Sequence, residues 1–520
     1  MNKAVFLCIL LMSVLYACKT AKNNENQPNI IYILADDMGY GDISILNKES
    51  RISTPNLDIL ASEGIIFTDA HTSSSVCTPT RYGILTGRYN WRSRLKSGVL
   101  TGKSKALIPN SRTTVASMLK KQGYQTAFIG KWHLGWDWAL KDSIDNTGEG
   151  WNKEDFENID FTKPVTNNPN DLGFDYAYGH AGSLDMAPYV YVENGRVTSE
   201  PDTITVNNGK YSWWREGPTA KDFVHEEVTP NFFNQAVGYI KEKSNQHKPF
   251  FLYLALPSPH TPILPAKEWQ GRSGLLPYAD FVMMIDDYIG RLLKSVEDMG
   301  IEENTIIVFT TDNGCSPAAG IDELQKMGHY PSYIYRGHKA DIFEGGHRVP
   351  FFVRWPSKIK GGTINNSLVC TTDLMATLAD LVDYQLMDNE GEDSMSMLPL
   401  LSEGLKDNPT RMTIVHHSIN GNFAIRKGKW KLIMTPGSGG WSYPNPSKDK
   451  LVLSNLPPMQ LYDLDKDPQE SINLVETEVK KVTELKAILI KQIKEGRSTP
   501  GKTQKNDSIN FEWTQIDFTN

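Results

Sequence analysis

Cysteine is scarce in this chain, with 5 residues among 520. Cys8 and Cys18 fall in the N-terminal segment, which leaves Cys77, Cys315 and Cys370 in the body of the protein. Three cysteines without a Cys-x-x-Cys pair do not make a disulfide framework or a common zinc pattern.

Positive charge is also limited, and the chain shows no internal repeats. The formal net charge is −7, which argues against a partner nucleic acid, because proteins that bind nucleic acids present a basic surface. An anionic substrate would therefore have to be attracted by a local positive site and not by the overall field.

The N-terminus has the pattern of an export signal. Lys3 supplies a positive charge, the apolar run from Ala4 to Leu15 is too short for a comfortable transmembrane helix, and Leu15-Tyr16-Ala17-Cys18 resembles a bacterial lipoprotein box. We expect a signal peptide over 1–18, a polar tether over 19–28, and an exported lipoprotein of the bacterial cell envelope, periplasmic or on the outer-membrane surface. A lipid on Cys18 would be its only membrane attachment. Because Tyr16 is bulky for its position, ordinary secretory cleavage is the alternative.

Strand and helix patterns alternate up to residue 405, which is typical of an α/β sheet flanked by helices. The length predicts one large domain, 29–405, and a smaller C-terminal subdomain, 406–520. Predicted strands of the large domain are Asn29–Ala35, Thr126–Lys131, Phe250–Pro257, Asn304–Thr311 and Val349–Trp355. Its predicted helices are Pro55–Glu63, Thr113–Lys121, Tyr278–Met299 and Asp373–Asp383.

Two further regions differ from this pattern. Residues 137–219 are rich in Asn, Gly, Asp and Trp, and predict a long insertion of loops that contributes substrate contacts. In the C-terminal subdomain, three short antiparallel strands precede an amphipathic helix, over Thr413–His417, Phe423–Arg426, Trp430–Met434 and Glu476–Gly496.

Oxygen-bearing side chains follow two of the predicted strands. Asp36 and Asp37 come directly after one strand, and Asp312 and Asn313 after another. Ligands of open α/β sheets collect at the carboxyl ends of strands, and four oxygen donors without Cys or His favour a hard cation, Ca²⁺ or Mg²⁺. For either pair alone, an ordinary turn is the alternative.

A cysteine stands at the start of another predicted helix. In Cys77-Thr78-Pro79-Thr80-Arg81, the arginine lies one turn after Cys77 on the same helix face, so the helix N-terminus and Arg81 form a positive niche around the sulfur. A buried structural cysteine is the alternative.

Four basic side chains lie in Gly- or Pro-rich segments. Lys131 and His133 share one side of the extended segment GKWHLG, His260 lies in PHTP, and Lys339 lies in the turn that begins GHK. Taken alone, each is more often an ordinary solvated side chain.

Together these segments resemble the formylglycine-dependent sulfatases of the alkaline-phosphatase superfamily. The resemblance covers nearly the whole mature chain in the family's order, through the motifs DDMGYGD, CTPTRYGILTGRY, GKWHLG, PHTP, TDNG and GHKADIFEGGHRVP. The resemblance implies an alkaline-phosphatase-like fold with a large mixed sheet. The chain is similar in particular to exported sulfatases of glycan-degrading bacteria.

The resemblance also implies a modified nucleophile and a metal site. A maturase would oxidise Cys77 to formylglycine (3-oxoalanine), whose hydrate would attack the sulfate ester. Arg81 would stabilise that hydrate. A divalent cation, Ca²⁺ or alternatively Mg²⁺, would be bound by the oxygen-bearing residues Asp36, Asp37, Asp312 and Asn313.

The remaining implied roles concern sulfate and protons. Lys131 and Lys339 would hold the sulfate oxygens, and His260 would protonate the leaving alcohol. His133 would assist the hydrate and later remove the proton of its second hydroxyl, so that sulfate is expelled.

The expected substrate is a sulfated oligosaccharide from a glycan such as chondroitin, heparan sulfate or mucin. Asp185, in the segment Ser183-Leu184-Asp185, and His225 resemble the residues with which related 6-O-sulfatases hold a galacto-configured sugar, so we favour 6-O-sulfate on galactose or N-acetylgalactosamine. Both residues could equally structure loops. Some of six tryptophans could stack on sugar rings, while packing in the core is expected for most of them: Trp91, Trp132, Trp136, Trp138, Trp213 and Trp214.

Two other functions stay open at this point. One is a phosphodiesterase or phosphonate monoester hydrolase of the same superfamily, although such enzymes usually bind metal through more histidines or a second ion. The other is a non-catalytic glycan-binding protein, which would result if no maturase acted on Cys77.

Overall fold

The computed structural model describes residues 27–142, 156–246, 248–401 and 411–519. The predicted signal peptide, most of the tether and the proposed domain boundary at 405/406 lie outside these residues, so all three stay predictions. No described helix has the length and apolar character that crossing a membrane requires.

A ten-stranded mixed sheet forms the centre of the molecule. In chain order its strands are β1 (Asn29–Ala35), β2 (Ile65–Phe67), β4 (Gln125–Lys131), β5 (Tyr176–His180), β6 (Val192–Glu193), β7 (Arg196–Val197), β10 (Phe250–Ala255), β11 (Thr305–Thr311), β12 (Phe351–Arg354) and β13 (Thr363–Asn365). Their order across the sheet is β13-β2-β12-β11-β1-β10-β4-β5-β6-β7. The large mixed sheet predicted from the resemblance is therefore confirmed.

The five central strands, β11 to β5 in that order, run parallel. Strands β1, β10 and β11 are buried along almost their whole length, and β1 and β10 are mostly apolar, as expected for parallel strands that are covered on both faces. Among the described residues up to 401, two strand pairs lie outside this sheet: β3 (Ala70–His71) pairs with β14 (Val369–Cys370), and β8 (Pro201–Asn207) forms a hairpin with β9 (Trp214–Ala220).

Helices cover the sheet and carry several motif residues. They are α1 (Pro55–Ser62), α2 (Cys77–Thr86), α3 (Val115–Lys121), α4 (Val228–Ser244), α5 (Pro277–Asp298), α6 (Ile321–Lys326), α7 (Glu344–His347) and α8 (Leu374–Leu381). Thr114 caps α3 by accepting a hydrogen bond from Ser117 N, and Pro277 begins α5, where its missing N–H costs nothing.

The C-terminal part is a four-stranded antiparallel sheet with one long helix. Its strands are β15 (Thr413–His417), β16 (Phe423–Lys427), β17 (Trp430–Ile433) and β18 (Gln460–Asp463), and its helices are α9 (Lys450–Leu453) and α10 (Val479–Glu495). The apolar face of α10 packs with β15, β16 and β17, and Tyr89 and Trp91 of the large domain join the same cluster. Val479, the first residue of α10, is 60% exposed.

The prediction that residues 137–219 form only loops is wrong for the described residues. They contain β5, which continues the central parallel sheet, and the β8–β9 hairpin. The pattern missed β5 because Tyr176–His180 includes a glycine and a histidine instead of an apolar run. Of the six tryptophans, Trp91, Trp132, Trp136 and Trp138 are buried in the core, and only Trp213 and Trp214 are partly exposed.

We predict that Gly130→Ala is strongly destabilising. Gly130 has φ +127°, and a Cβ there would lie 1.9 Å from the Ala255 carbonyl oxygen of the neighbouring strand. The substitution should lower the free energy of unfolding by about 3 kcal/mol. Gly238→Ala is the matched control, because this helix glycine has open space around its Cβ position, and it should change stability by under about 1 kcal/mol. Equal melting temperatures for both variants would contradict the inference that the fold cannot accommodate a side chain at position 130.

Candidate active site

Strand ends bring the four oxygen-bearing residues together. β1 and β11 pair in parallel with Ala35 opposite Thr311, so Asp36 and Asp37 leave one strand beside Asp312 and Asn313 of the other. Asn313 Nδ2 donates to Asp37 Oδ1 at 2.7 Å, and the Asp37 amide donates to Asp312 Oδ1 at 3.3 Å.

Adjacent residues in a straight strand face opposite ways, which would separate Asp36 from Asp37. This separation does not arise in the structure, because Asp37 has a φ of +66°. This left-handed conformation is rare for a residue with a side chain, and it breaks the alternation where the chain leaves β1.

Three buried cations offset this group of acids. Arg81 donates from Nε and Nη2 to Asp312 Oδ2 at 3.0 and 2.8 Å, and from Nη1 to the Lys131 carbonyl oxygen at 2.9 Å. Lys131 Nζ forms an ion pair with Asp36, and Lys339 Nζ lies 2.7 Å from Asp37 Oδ1. Charges this deeply buried are tolerated only when they are paired.

The pKa values of the acids reflect their unequal pairing. Burial alone would raise the pKa of Asp36, but the positive charges of Lys131, His260 and Arg81 hold it well below its usual range. Burial and the nearby charge of Asp36 raise the pKa of Asp312 to about 7. A second negative charge at Asp312 is therefore costly unless more positive charge is supplied.

These residues fit a divalent cation. Asp36 Oδ1 and Asn313 Oδ1 are buried and have no hydrogen-bond partner among the residues that the structure describes. Potential ligand atoms of Asp36, Asp37, Cys77 and His260 all lie within 4.8 Å of one another. Unpartnered buried oxygens beside surplus carboxylates are the donors that Ca²⁺ and Mg²⁺ prefer.

Cys77 begins α2, as the sequence predicted, and its side chain is 2% exposed. Burial raises the pKa of its thiol to about 12, although Lys131 and Lys339 act in the opposite direction. The thiol is therefore protonated at neutral pH. Because the thiolate is the reactive form of cysteine, an unmodified Cys77 is a poor nucleophile.

His133 lies just beyond the end of β4 with a φ of +55°. Its Nε2 hydrogen-bonds the Leu100 carbonyl oxygen at 2.7 Å, and its Nδ1 is buried with no partner in the described part of the chain. Burial and the charges of Lys131 and Arg81 hold its pKa well below the usual range. The ring is therefore neutral, with Nδ1 able to accept a proton.

His260 follows β10 and lies over the carboxylates. Its Nδ1 lies 2.6 Å from the Thr261 carbonyl oxygen, and its Nε2 lies 3.6 Å from Asp37 Oδ2. Burial and the charge of Lys339 lower its pKa. Since Nδ1 donates to a carbonyl, Nε2 is the nitrogen at which a proton can be gained or lost.

Ser183 also belongs to this group: the family resemblance named its segment, Ser183-Leu184-Asp185, for sugar binding, but did not predict its contacts with Lys131 and His260. Its hydroxyl lies 3.2 Å from Lys131 Nζ and 3.1 Å from His260 Nδ1. A serine in a Gly-Ser-Leu-Asp segment predicts a turn, and only its position after β5, next to β4, indicates the site.

Asp185 and His225 lie at the edge of the same site. Asp185 Oδ1 is 3.9 Å from His260 Nδ1, and its other oxygen forms an ion pair with Arg215. His225 is also buried, and burial lowers its pKa to about 4. All twelve residues singled out from the sequence therefore belong to one region, while their individual roles stay predictions.

Comparison with known proteins decides the family. The family model described as Sulfatase matches residues 28–384. An N-acetylgalactosamine-6-O-sulfatase of Bacteroides thetaiotaomicron is 33% identical, over 90% of this chain and 93% of the relative. Human arylsulfatase A is 31% identical, over 89% of this chain and 86% of the relative.

The chain belongs to the sulfatase family. A solved structure described under the metabolism of multiple glycosaminoglycans by Bacteroides thetaiotaomicron superposes with a TM-score of 0.76 at 32% identity, covering 89% of this chain and 98% of the other. The protein is thus a sulfuric ester hydrolase. Sulfatases generally use a formylglycine residue and a divalent metal ion, and the candidate site has residues suited to both.

A second group of possible metal ligands in this sulfatase lies outside the site. His71, His347 and His416 are buried together, with possible ligand atoms within 4.8 Å of one another. The rings of His347 and His416 are stacked, with centroids 3.8 Å apart and planes at 13°. A metal ion cannot lie in both of these ring planes at bonding distance, and His347 Nε2 also lies 3.0 Å from Lys431 Nζ. These contacts indicate a structural role.

We predict that Ca²⁺ or Mg²⁺ raises the melting temperature of the metal-free sulfatase. A ligand that binds only the folded state adds about 2.7 kcal/mol at 100 times its Kd. Asp312→Ala should abolish the response by removing a donor, whereas Asp322→Asn, an exposed acid on α6, should keep it. An unchanged melting temperature of the wild type, measured by calorimetry with and without chelator, would contradict the metal site.

Proposed function

We propose that this sulfatase hydrolyses a 6-O-sulfate ester on galactose or N-acetylgalactosamine in a sulfated glycan, such as chondroitin or mucin. The observation that carries the proposal is that two groups of residues lie next to each other. One group is Cys77 with its buried cations, and the other is Asp185 with His225, next to His260. The N-acetylgalactosamine-6-O-sulfatase relative supports the sugar and the sulfate position.

The positive side chains are suited to an anionic ester. Lys131 Nζ and Lys339 Nζ would bind the sulfate oxygens, and Ser183 Oγ, 3.2 Å from Lys131 Nζ, would supply a further hydrogen bond. Because these groups are buried and held by carboxylates, they need little reorganisation when charge shifts in the transition state. Asp36, Asp37, Asp312 and Asn313 would hold a divalent cation, Ca²⁺ by preference, which supplies additional positive charge toward an ester oxygen.

Two histidines provide the proton transfers. His260 Nε2 would hold the proton that passes to the leaving sugar oxygen, because an alkoxide is a poor leaving group without a general acid. His133 Nδ1 would accept a proton on the Cys77 side of the site. The negative charge of a bound sulfate counteracts the lysines that lower the pKa of His260, and so favours its protonated form.

We further propose that a maturase converts Cys77 to formylglycine. A hydrated aldehyde supplies a hydroxyl nucleophile and a second hydroxyl whose deprotonation releases sulfate, which a serine or cysteine cannot offer. Arg81, on the same helix as Cys77, would orient the modified side chain.

The cellular location is a separate proposal. The pattern from Lys3 to Cys18 supports export and a lipid anchor on Cys18, with residues 19–28 as a tether to the cell envelope. The phosphodiesterase alternative has no specific observation in its favour. The glycan-binding alternative remains the expected outcome for protein in which Cys77 stays a thiol.

We predict sulfate release from 6-sulfated N-acetylgalactosamine, with little from the 4-sulfated isomer. Cys77→Ala should abolish release, because it removes the precursor of the nucleophile. Cys370→Ala is the matched control: this buried cysteine lies in β14 and is not among the residues of the site, and its loss should leave activity unchanged. Release by Cys77→Ala at the wild-type rate would refute the proposed nucleophile.

His260→Ala should show the signature of a lost general acid. We expect kcat on the sugar sulfate to fall by about 10²–10⁴-fold. For an aryl sulfate, whose leaving group needs no proton, the fall should be much smaller. Parallel kinetics on the two esters give the comparison, and equal losses on both would exclude this role for His260.

A further inference from the structure

The β8–β9 hairpin reaches the edge of the site through three consecutive residues, Trp213, Trp214 and Arg215. The hairpin forms a two-stranded sheet of its own and is joined to the rest of the structure through Tyr189, whose amide donates to the Pro218 carbonyl oxygen at 2.8 Å. Nothing in the motif pattern of the family resemblance includes these three residues.

Arg215 fixes Asp185 from two directions. Its Nη1 donates to the Asp185 carboxylate at Oδ2 and to the Asp185 carbonyl oxygen at 3.3 Å, and its backbone amide donates to that carbonyl at 3.2 Å. The guanidinium lies 4.7 Å from the centre of the Trp213 ring. Asp185 Oδ1 is left buried, with no hydrogen-bond partner within the described ranges.

Trp214 fixes His225 by stacking. The two ring centroids are 3.9 Å apart with planes at 13°, and Trp214 Nε1 donates to Thr205 Oγ1 at 3.2 Å. Tyr189 contacts the other side of the imidazole, edge to face at 4.7 Å. The ring also hydrogen-bonds the backbone of Leu184, and its Nε2 is buried without a partner in the part of the chain described.

The two unpartnered atoms are both acceptors. Asp185 Oδ1 belongs to a carboxylate, and His225 Nε2 carries a lone pair because the other ring nitrogen makes the bond to the Leu184 backbone. Buried acceptors without a partner are costly, so they indicate a ligand that donates hydrogen bonds. Sugar hydroxyl groups are such donors.

The segment 183–185 connects this pair to the reacting groups. Ser183 contacts Lys131 and His260, Leu184 bonds His225, and Asp185 bonds Arg215. The acceptors are therefore held at a fixed distance from the sulfate-binding lysine.

We propose that Trp214 and Arg215 are positioning residues that set the sugar selectivity of this sulfatase, by holding His225 Nε2 and Asp185 Oδ1 as paired acceptors for the hydroxyl groups of the sulfated sugar. The inference rests on the proposed function. Trp214→Ala removes the ring against which His225 is stacked, and Arg215→Ala leaves the buried carboxylate without its cation.

The experiment compares two epimers, 6-sulfated N-acetylgalactosamine and 6-sulfated N-acetylglucosamine. Wild type should favour the first. In Trp214→Ala and Arg215→Ala, KM for the first should rise about tenfold or more, with a smaller change in kcat, and the ratio of kcat/KM between the epimers should fall toward one. Trp214→Phe keeps a stacking ring and should restore most of the selectivity.

Ile204→Ala is the matched control, since this β8 side chain is 63% exposed and should alter neither constant. Variants that keep the wild-type ratio, or that lose kcat equally on both epimers, would overturn the positioning roles. A wild type that hydrolyses both epimers equally would overturn them too. A wild type inactive on both, with formylglycine present, would instead mean that the proposed function is wrong.

Discussion

Three carboxylates are buried next to one another where β1 and β11 end. The positive charges that offset them come from three other segments of the chain. Asp36, Asp37 and Asp312 cannot be buried together without compensation. Arg81 reaches them from α2, Lys131 from the end of β4 and Lys339 from the loop before α7. These three segments thus bring the cations to one point, next to the carboxylates.

The same pairing of carboxylates with cations makes the site suitable for binding an anion and a cation together. Burial, together with the like charge of Asp36, raises the pKa of Asp312, so additional positive charge at the carboxylates is favourable. The lysines, held by those carboxylates, lie beside the Cys77 helix start. A divalent cation bound at the carboxylates and an anionic sulfate ester bound at the lysines would attract one another, so the binding of each would favour the binding of the other.

Much of this arrangement could be predicted from the sequence, and the reasons are physical. Long apolar strands such as Phe250–Ala255 and motif residues at their ends are visible in the chain itself, and so is the Cys77 to Arg81 spacing. The β5 strand and the β8–β9 hairpin were not visible, because their residues mix glycine, aromatic and polar types without a clear period. The contacts of Trp214 and Arg215 depend on how the hairpin folds back, and those of Ser183 depend on the positions of β4 and β10, which no local pattern contains. The left-handed turn at Asp37 is likewise a tertiary feature.

The central claim is that the reacting group at position 77 is a formylglycine and not a thiol. The most direct test is the mass of the peptide that contains residue 77, in protein produced with and without a formylglycine-generating maturase, with sulfate release measured on the same preparations. Our account predicts that the aldehyde mass and the activity occur together, and that the thiol form binds substrate without releasing sulfate. Full activity in a preparation that contains only the thiol would contradict it.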